Sequence, residues 1–290
     1  MSVIKSPKKI VLNSYAKINL ILNVLCRRED GYHEVESIMQ SINLADRIIL
    51  SESEDIHIEC NHPQIPTDTN SLIYSTAQKI LQKYHLKKGV RIEIEKRIPL
   101  ASGLAGGSAN AATILKGIND LYDLGLSFMD LKILGEKLGM DVPFCLQNGT
   151  ALAYHRGEKI IPLAPIIPPL WLILINPGLE ISTQWAYYHL SLEKGFVKKG
   201  NIKAMLLAIK KGKPEEISRN LFNSFEELIL KTYPQVKMIK KRLKDSGALG
   251  VLMSGSGPTI FGVMSNQKEA QKVYEKLKPE YPLSWVVQTI

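Results

Sequence analysis

The run PLASGLAGGSANAATILKGINDLYDL, residues 99–124, decides how the rest of the chain is read. Its second half has apolar residues at helical spacing, and its first half is a loop of small residues feeding that helix. Directly before it, VRIEIEKRI at 90–98 alternates apolar and charged residues, the pattern of a half-exposed strand. The order strand, glycine loop, helix has a physical consequence. Glycine permits backbone angles that turn successive N–H groups toward one point. A helix N-terminus adds unpaired N–H donors and a partial positive charge. An anion site suited to phosphate follows, built from Pro99, Leu100, Ala101, Ser102, Gly103, Leu104, Ala105, Gly106, Gly107, Ser108 and Ala109. No Gly-Lys-Ser/Thr closes the loop, and glycines at 103, 106 and 107 do not spell Gly-x-Gly-x-x-Gly. Ser108 offers a hydroxyl to a phosphate or to magnesium. The competing reading is a tight turn whose small residues serve only close packing.

N-terminal to this run, KIVLNSYAKINLILNVL at 9–25 reads as one or two strands. Lys17 and Asn19 are two apart and share a strand face. A lysine in an apolar strand is either solvated at an edge or aimed into a cleft. A polar turn follows at Asp30-Gly31, then strands in VESIMQSINLADRIIL at 35–50 and HIEC at 57–60. The segment 61–70 is a loop, and 71–85 has helical spacing.

On the C-terminal side, Ser127 and Asp130 form a capping signature for a helix ending near Gly139. Asp141 precedes Val142-Pro143, which suits a helix cap. The alternative is a carboxylate that accepts a proton or holds a cation. Spacing alone does not pair it with Lys17. The proline-rich stretch at 160–169 marks a boundary between domains 1–160 and 161–290. Beyond it come a buried strand in LWLILINPG, a lysine-rich helical region over 201–245, a strand–turn–strand at 250–264, a closing helix and a last strand. The pattern predicts an α/β (α+β) class.

The chain has 290 residues, 45% apolar and 22% charged, which excludes a disordered or collagen-like protein. Lys plus Arg is 37 against 28 for Asp plus Glu, a net charge of +9. Such a charge attracts nucleic acid, acidic membranes or phosphorylated small molecules. Cys26, Cys60 and Cys145 have no disulfide or metal-ligand spacing, and the six histidines show no zinc pattern. No signal peptide is read at the N-terminus, and the most apolar stretch, 164–175, is too short to span a bilayer. A cytoplasmic protein is expected. The lysines at 198–213 read as a solvated face, since no aromatic residues are interleaved as stacking platforms. The turn SGSGPT at 254–259 is a second phosphate-facing loop or only a hairpin connection.

Three stretches, in order, resemble the motifs of the GHMP kinases, a family covering galactose, homoserine, mevalonate and phosphomevalonate kinases. They are YAKINLIL at 15–22, PLASGLAGGSANAA at 99–112 and SGSGPTIFGV at 254–263. GYHEVES at 31–37 and GMDVPFCL at 139–146 resemble a branch acting on an alcohol carried by a cytidine diphosphate. The resemblance implies two α/β domains with the active site in the cleft between them, and ATP with Mg2+ as phosphoryl donor. It implies that residues 99–109 bind ATP, with Asn70 near the adenine, although Asn70-Ser71-Leu72 fits the family's Asn-Leu pair only off by one. It implies Asp141 as general base and Lys17 as its partner. Asn19, Tyr32, His33, Thr183 and Tyr187 would contact the substrate, the aromatic rings stacking on cytosine. No protein metal ligand is named. A small-molecule substrate is expected, with no nucleic-acid or membrane partner, in a monomer or weak homodimer. The competing readings are a GHMP kinase for another alcohol, such as homoserine, and a basic nucleic-acid-binding module.

Overall fold

The computed structural model describes residues 8–190 and 198–290. The part of the N-terminal reading that falls on residues 1–7 lies outside them. In chain order the elements are β1 (Lys9–Arg27), β2 (His33–Ser53), β3 (His57–Cys60), α1 (Leu72–Lys83), β4 (Gly89–Glu95), α2 (Gly106–Leu121), α3 (Phe128–Glu136), α4 (Val142–Gln147), β5 (Thr150–His155), β6 (Lys159–Pro162) and β7 (Trp171–Ile175). They continue with α5 (Thr183–His189), α6 (Ile202–Lys211), α7 (Pro214–Arg219), β8 (Phe222–Asn223), α8 (Glu226–Thr232), α9 (Pro234–Asp245), β9 (Gly250–Met253), β10 (Ile260–Met264), α10 (Gln267–Leu277) and β11 (Ser284–Gln288). The class is mixed α/β, as expected. Among the described residues no helix is long and apolar enough to cross a membrane.

The chain forms two units. The first holds the described residues up to Tyr15, Leu44–Ile98 and Gly106–Leu146; the second holds Ala16–Asn43, Pro99–Ala105 and the described part of Gln147–Ile290. Both are discontinuous in sequence because β1 and β2, of 19 and 21 residues, each serve both units. The proline-rich boundary at 160–169 falls inside the second unit.

In the first unit β2 pairs antiparallel with β4, Arg47 opposite Glu95 and Ser53 opposite Gly89, and β4 pairs parallel with β3. Helix α1 is capped by Ser71, whose Oγ accepts from the Ile73 N–H, and it buries Ile73, Ala77, Ile80 and Leu81. Helix α2 lies close on the sheet at Gly117, where a methyl group would stand 2.2 Å from Leu50 Cδ1. The capping box of Ser127 and Asp130 is formed, and α3 ends at Glu136. A buried ion pair, Lys96 Nζ to Asp46 Oδ2 at 2.7 Å, closes the end of β4. The other Asp46 oxygen accepts from the Arg97 and Ile98 amides, so one carboxylate sets the backbone that leads into the glycine loop.

In the second unit β7 is central in an antiparallel sheet ordered β11-β7-β10-β9, and β9 and β10 form the expected hairpin. The burial of Leu172, Ile173, Leu174 and Ile175 on both faces explains why this run is apolar without alternation. Helices α5, α8, α9 and α10 cover it with Ala186, Phe225, Ile229, Val236, Ile239, Leu243 and Val273. Elsewhere β2 pairs antiparallel with β5, and β1 parallel with β8. The lysine-rich region at 201–245 is helical, as expected, and holds the four helices α6 to α9. Gly212 ends α6 in a left-handed conformation, and Pro214 and Pro234 open α7 and α9. Proline is favoured in a helix's first turn and excludes itself from the interior.

Candidate active site

The second-unit part of the glycine loop, Pro99–Ala105, is pinned at three successive residues. Ser102 donates to Pro99 C=O at 2.8 Å, and its own carbonyl accepts from Thr259 N–H at 3.3 Å. Gly103 C=O accepts from Ser254 Oγ at 3.0 Å. Leu104 C=O accepts from the Lys17 amide at 3.1 Å, which fastens the loop to β1. Ala101, Gly103 and Ala105 all have positive φ, at 44°, 76° and 57°. Alternation of this kind turns neighbouring N–H groups to one side, as in anion-binding nests. The turn 254–259 therefore holds the loop in shape. Asn223 braces that turn in its place, donating to the carbonyls of Met253 and Gly255 at 2.7 and 2.8 Å. Thr183 at the start of α5 meets the same turn, its Oγ1 2.9 Å from Ser256 Oγ.

In the first unit α2 begins at Gly106 with no acidic residue in its first turn. Gly107 is exposed, and a methyl group on it would have no heavy atom within 4 Å. Ser108 is half-buried, and a methyl group on Gly139 would stand 3.7 Å from its Oγ. The turn that carries Asp141 therefore lies beside the first turn of α2. Asp141 is half-buried, and its carbonyl accepts from the Cys145 amide at 3.0 Å, so it does start α4. Free N–H groups at a helix start favour an anion by about 0.3–1 kcal/mol, and by more when partly buried.

Lys17 and Asn19 are buried side by side in the second unit, at 4% and 1% exposure, which rules out a solvated edge lysine. The Lys17 ammonium donates to Asn19 Oδ1 at 2.8 Å. His33 and Tyr187, far apart in sequence, meet with ring centroids 4.8 Å apart, and Phe225 backs Tyr187 edge-on. Burial, then the charge of Arg27, holds the His33 imidazole below its usual pKa, which favours a neutral ring. Tyr32 is half-exposed, with the Arg156 guanidinium 5.0 Å from its ring centroid. Asn70 is exposed and hydrogen-bonds to Asp68, whereas its neighbour Ser71 is the buried α1 cap.

Sequence reasoning missed Arg156, Asn223 and Ser37 as parts of this arrangement, and left open what Ser254 and its turn do. Nothing local marks Arg156. Ser37 had a signal: it is a small polar residue inside the apolar part of β2. Among the described residues no three His, Cys, Asp or Glu side chains cluster as a metal site. Magnesium tolerates this, because it is commonly held by one or two side chains together with substrate phosphates and water.

The chain matches the family model for the GHMP kinases N terminal domain over residues 71–149 and that for GHMP kinases C terminal over 205–283. It is 43% identical over 284 residues to the 4-diphosphocytidyl-2-C-methyl-D-erythritol kinase of Alkaliphilus oremlandii, covering 97% of each chain. To the kinase of the same name from Geobacillus kaustophilus it is 44% identical, covering 93% of each. Among solved structures, a 4-(cytidine 5'-diphospho)-2C-methyl-D-erythritol kinase superposes with a TM-score of 0.83 at 33% identity, over 97% of this chain and 99% of that one. Two family models in the expected order, together with relatives of this identity along nearly the whole length, place the chain in the GHMP kinase family.

Proposed function

We propose that the chain transfers the terminal phosphoryl group of ATP to the 2-hydroxyl of 4-diphosphocytidyl-2-C-methyl-D-erythritol, in the non-mevalonate route to isoprenoid precursors. The name shared by its relatives supports the substrate. From the structure, the observation that carries the cytidine part is the meeting of His33 with Tyr187. At 4.8 Å the rings touch each other. A base held between them needs about 7 Å, two contact distances of about 3.5 Å, so the base enters as one ring turns aside. Tyr32, backed by Arg156, is a second stacking surface.

In this reading the loop 99–109 cradles the phosphates with backbone N–H groups, and Ser108 adds a hydroxyl. Asp141 takes the proton of the attacking hydroxyl, and Lys17 orients that carboxylate and offsets charge on the transferred group. Asn19 contacts the substrate, Thr183 lines its path, and Asn70 or Ser71 meets the adenine. Magnesium, when bound, neutralises phosphate oxygens. Residues 1–160 would form the ATP-binding and catalytic domain, and 161–290 the C-terminal domain of the family. A cytoplasmic enzyme, monomeric or weakly dimeric and without nucleic acid, completes the proposal.

The test is ADP release from magnesium-ATP with this substrate, run beside homoserine, mevalonate and galactose. Turnover with the cytidine substrate alone is expected. Turnover with homoserine instead would move the chain to another branch of the family, and turnover with none would leave only a phosphate site.

A further inference from the structure

In the second unit Lys17 and Asn19 belong to a longer hydrogen-bond chain. Lys17 Nζ donates to Asn19 Oδ1 at 2.8 Å, Asn19 Nδ2 donates to Ser37 Oγ at 2.8 Å, and Ser37 Oγ donates to the Ile21 carbonyl at 2.6 Å. Ser37 is fully buried on β2. The direction of the chain is forced. An ammonium has donors only, so the amide must face it with its oxygen. That turns the amide NH2 toward Ser37, whose oxygen must accept. The serine hydrogen is then left for the Ile21 carbonyl. The pairing of β2 with β5, where Ser37 stands opposite Ala153, runs through the backbone and does not use the hydroxyl.

We propose that Ser37 is a positioning residue for phosphoryl transfer. It fixes which way the Asn19 amide faces and, through the amide oxygen, where the Lys17 ammonium sits. The inference rests on the reading above, in which Lys17 and Asn19 serve the reaction. Without the Ser37 hydroxyl the buried amide NH2 loses its acceptor. If the amide flips in response, its NH2 opposes the Lys17 ammonium, donor against donor, and the ammonium leaves its place.

The test is a double-mutant cycle on the full chain with ATP and the cytidine substrate, using Ser37→Ala, Asn19→Ala and both together. Ser37→Ala should lower kcat about tenfold, with the KM for ATP within about twofold of the parent. Ser37→Thr, which keeps the oxygen, should recover most of the loss. In the Asn19→Ala background, Ser37→Ala should cost little more, because the amide through which it acts is gone. Ser37→Cys keeps the volume with a weaker acceptor, and it carries the same cycle if Ser37→Ala does not fold. An equal loss with and without Asn19, or unchanged kcat in Ser37→Ala while Asn19→Ala is impaired, overturns the role of Ser37. Parental kcat and KM in Asn19→Ala instead overturns the underlying assignment of Asn19.

Discussion

The two turns 99–109 and 254–259 are both rich in glycine and serine, yet their surroundings differ. The second is enclosed: Ser254 and Thr259 are fully buried, and a methyl group on Gly257 would stand 2.6 Å from Met253 Sδ. The first begins in the same way, with Gly103 against the backbone of Ser254, but it ends at Gly107 with nothing near. Glycine in one place admits a neighbouring backbone, and in the other it leaves N–H groups open to a ligand. Composition does not distinguish the two uses; the neighbours do.

The contrast predicts that chemistry and stability separate along the loop. The largest effect falls on the open side. Asp141→Asn should lower kcat by about 10²- to 10⁴-fold, the usual worth of a positioned base, while ATP binding by titration and the thermal midpoint stay near the parent. A variant that kept most of its rate would reduce Asp141 to the residue that starts α4.

Next comes the pair of glycines themselves. Gly103 has φ +76°, and its Cβ would lie 2.1 Å from the Ser254 carbonyl oxygen. A left-handed alanine alone costs about 1–2 kcal/mol, and here the backbone must also move. Gly103→Ala should therefore destabilise the fold by more than about 2 kcal/mol in urea titration. Gly107→Ala has room and stands in a helix, so stability should hold or rise by up to about 1 kcal/mol. Its cost should appear as a several-fold higher KM for ATP, because the methyl group narrows the phosphate approach. Equal destabilisation by the two substitutions would end the distinction between packing glycine and access glycine.

The elements of the fold were largely legible, because most follow from local patterns: the caps at Ser127 and Asp130, the β9–β10 hairpin, the buried run of β7. Two domains were expected, but not how the units divide the chain, because β1 and β2 are each continuous strands shared between units, and periodicity says nothing about where a strand changes partners. Within the site, Lys17 could be named but not interpreted. Its strand is apolar on both sides of it, and only burial beside Asn19 removes the edge-lysine reading. The turn 254–259 stood open between phosphate contact and connection. Its role lies in bonds to Ser102 and Gly103, more than 150 residues away in sequence, a distance that local pattern does not reach. Asn70 and Ser71 show the same limit at short range, since adjacent polar residues in a loop give no hint which of them turns inward to cap α1.

The smallest predicted effect sharpens the contrast through pH. The enclosed turn SGSGPT has no titratable side chain, so its grip on the loop should not vary with pH. The aromatic pair does titrate. Burial, then Arg27, holds His33 below the usual histidine value of 6.5. The unfolded chain then binds the proton more readily than the folded one between the lowered value and 6.5. Stability should rise with pH through that window and level off above it. The slope should be shallow, because His33 is only half-buried and solvent screens it. Urea midpoints of the parent and His33→Gln, taken at about pH 5.5 and about pH 7.5 on either side of the usual value, should differ in slope, with the glutamine variant the flatter. The KM for the cytidine substrate should rise on the acid side in the parent, since burying the His33 ring against cytosine disfavours its charged form. Identical slopes in both proteins would assign the pH response to another group and leave the His33–Tyr187 pair, like the enclosed turn, a matter of packing alone.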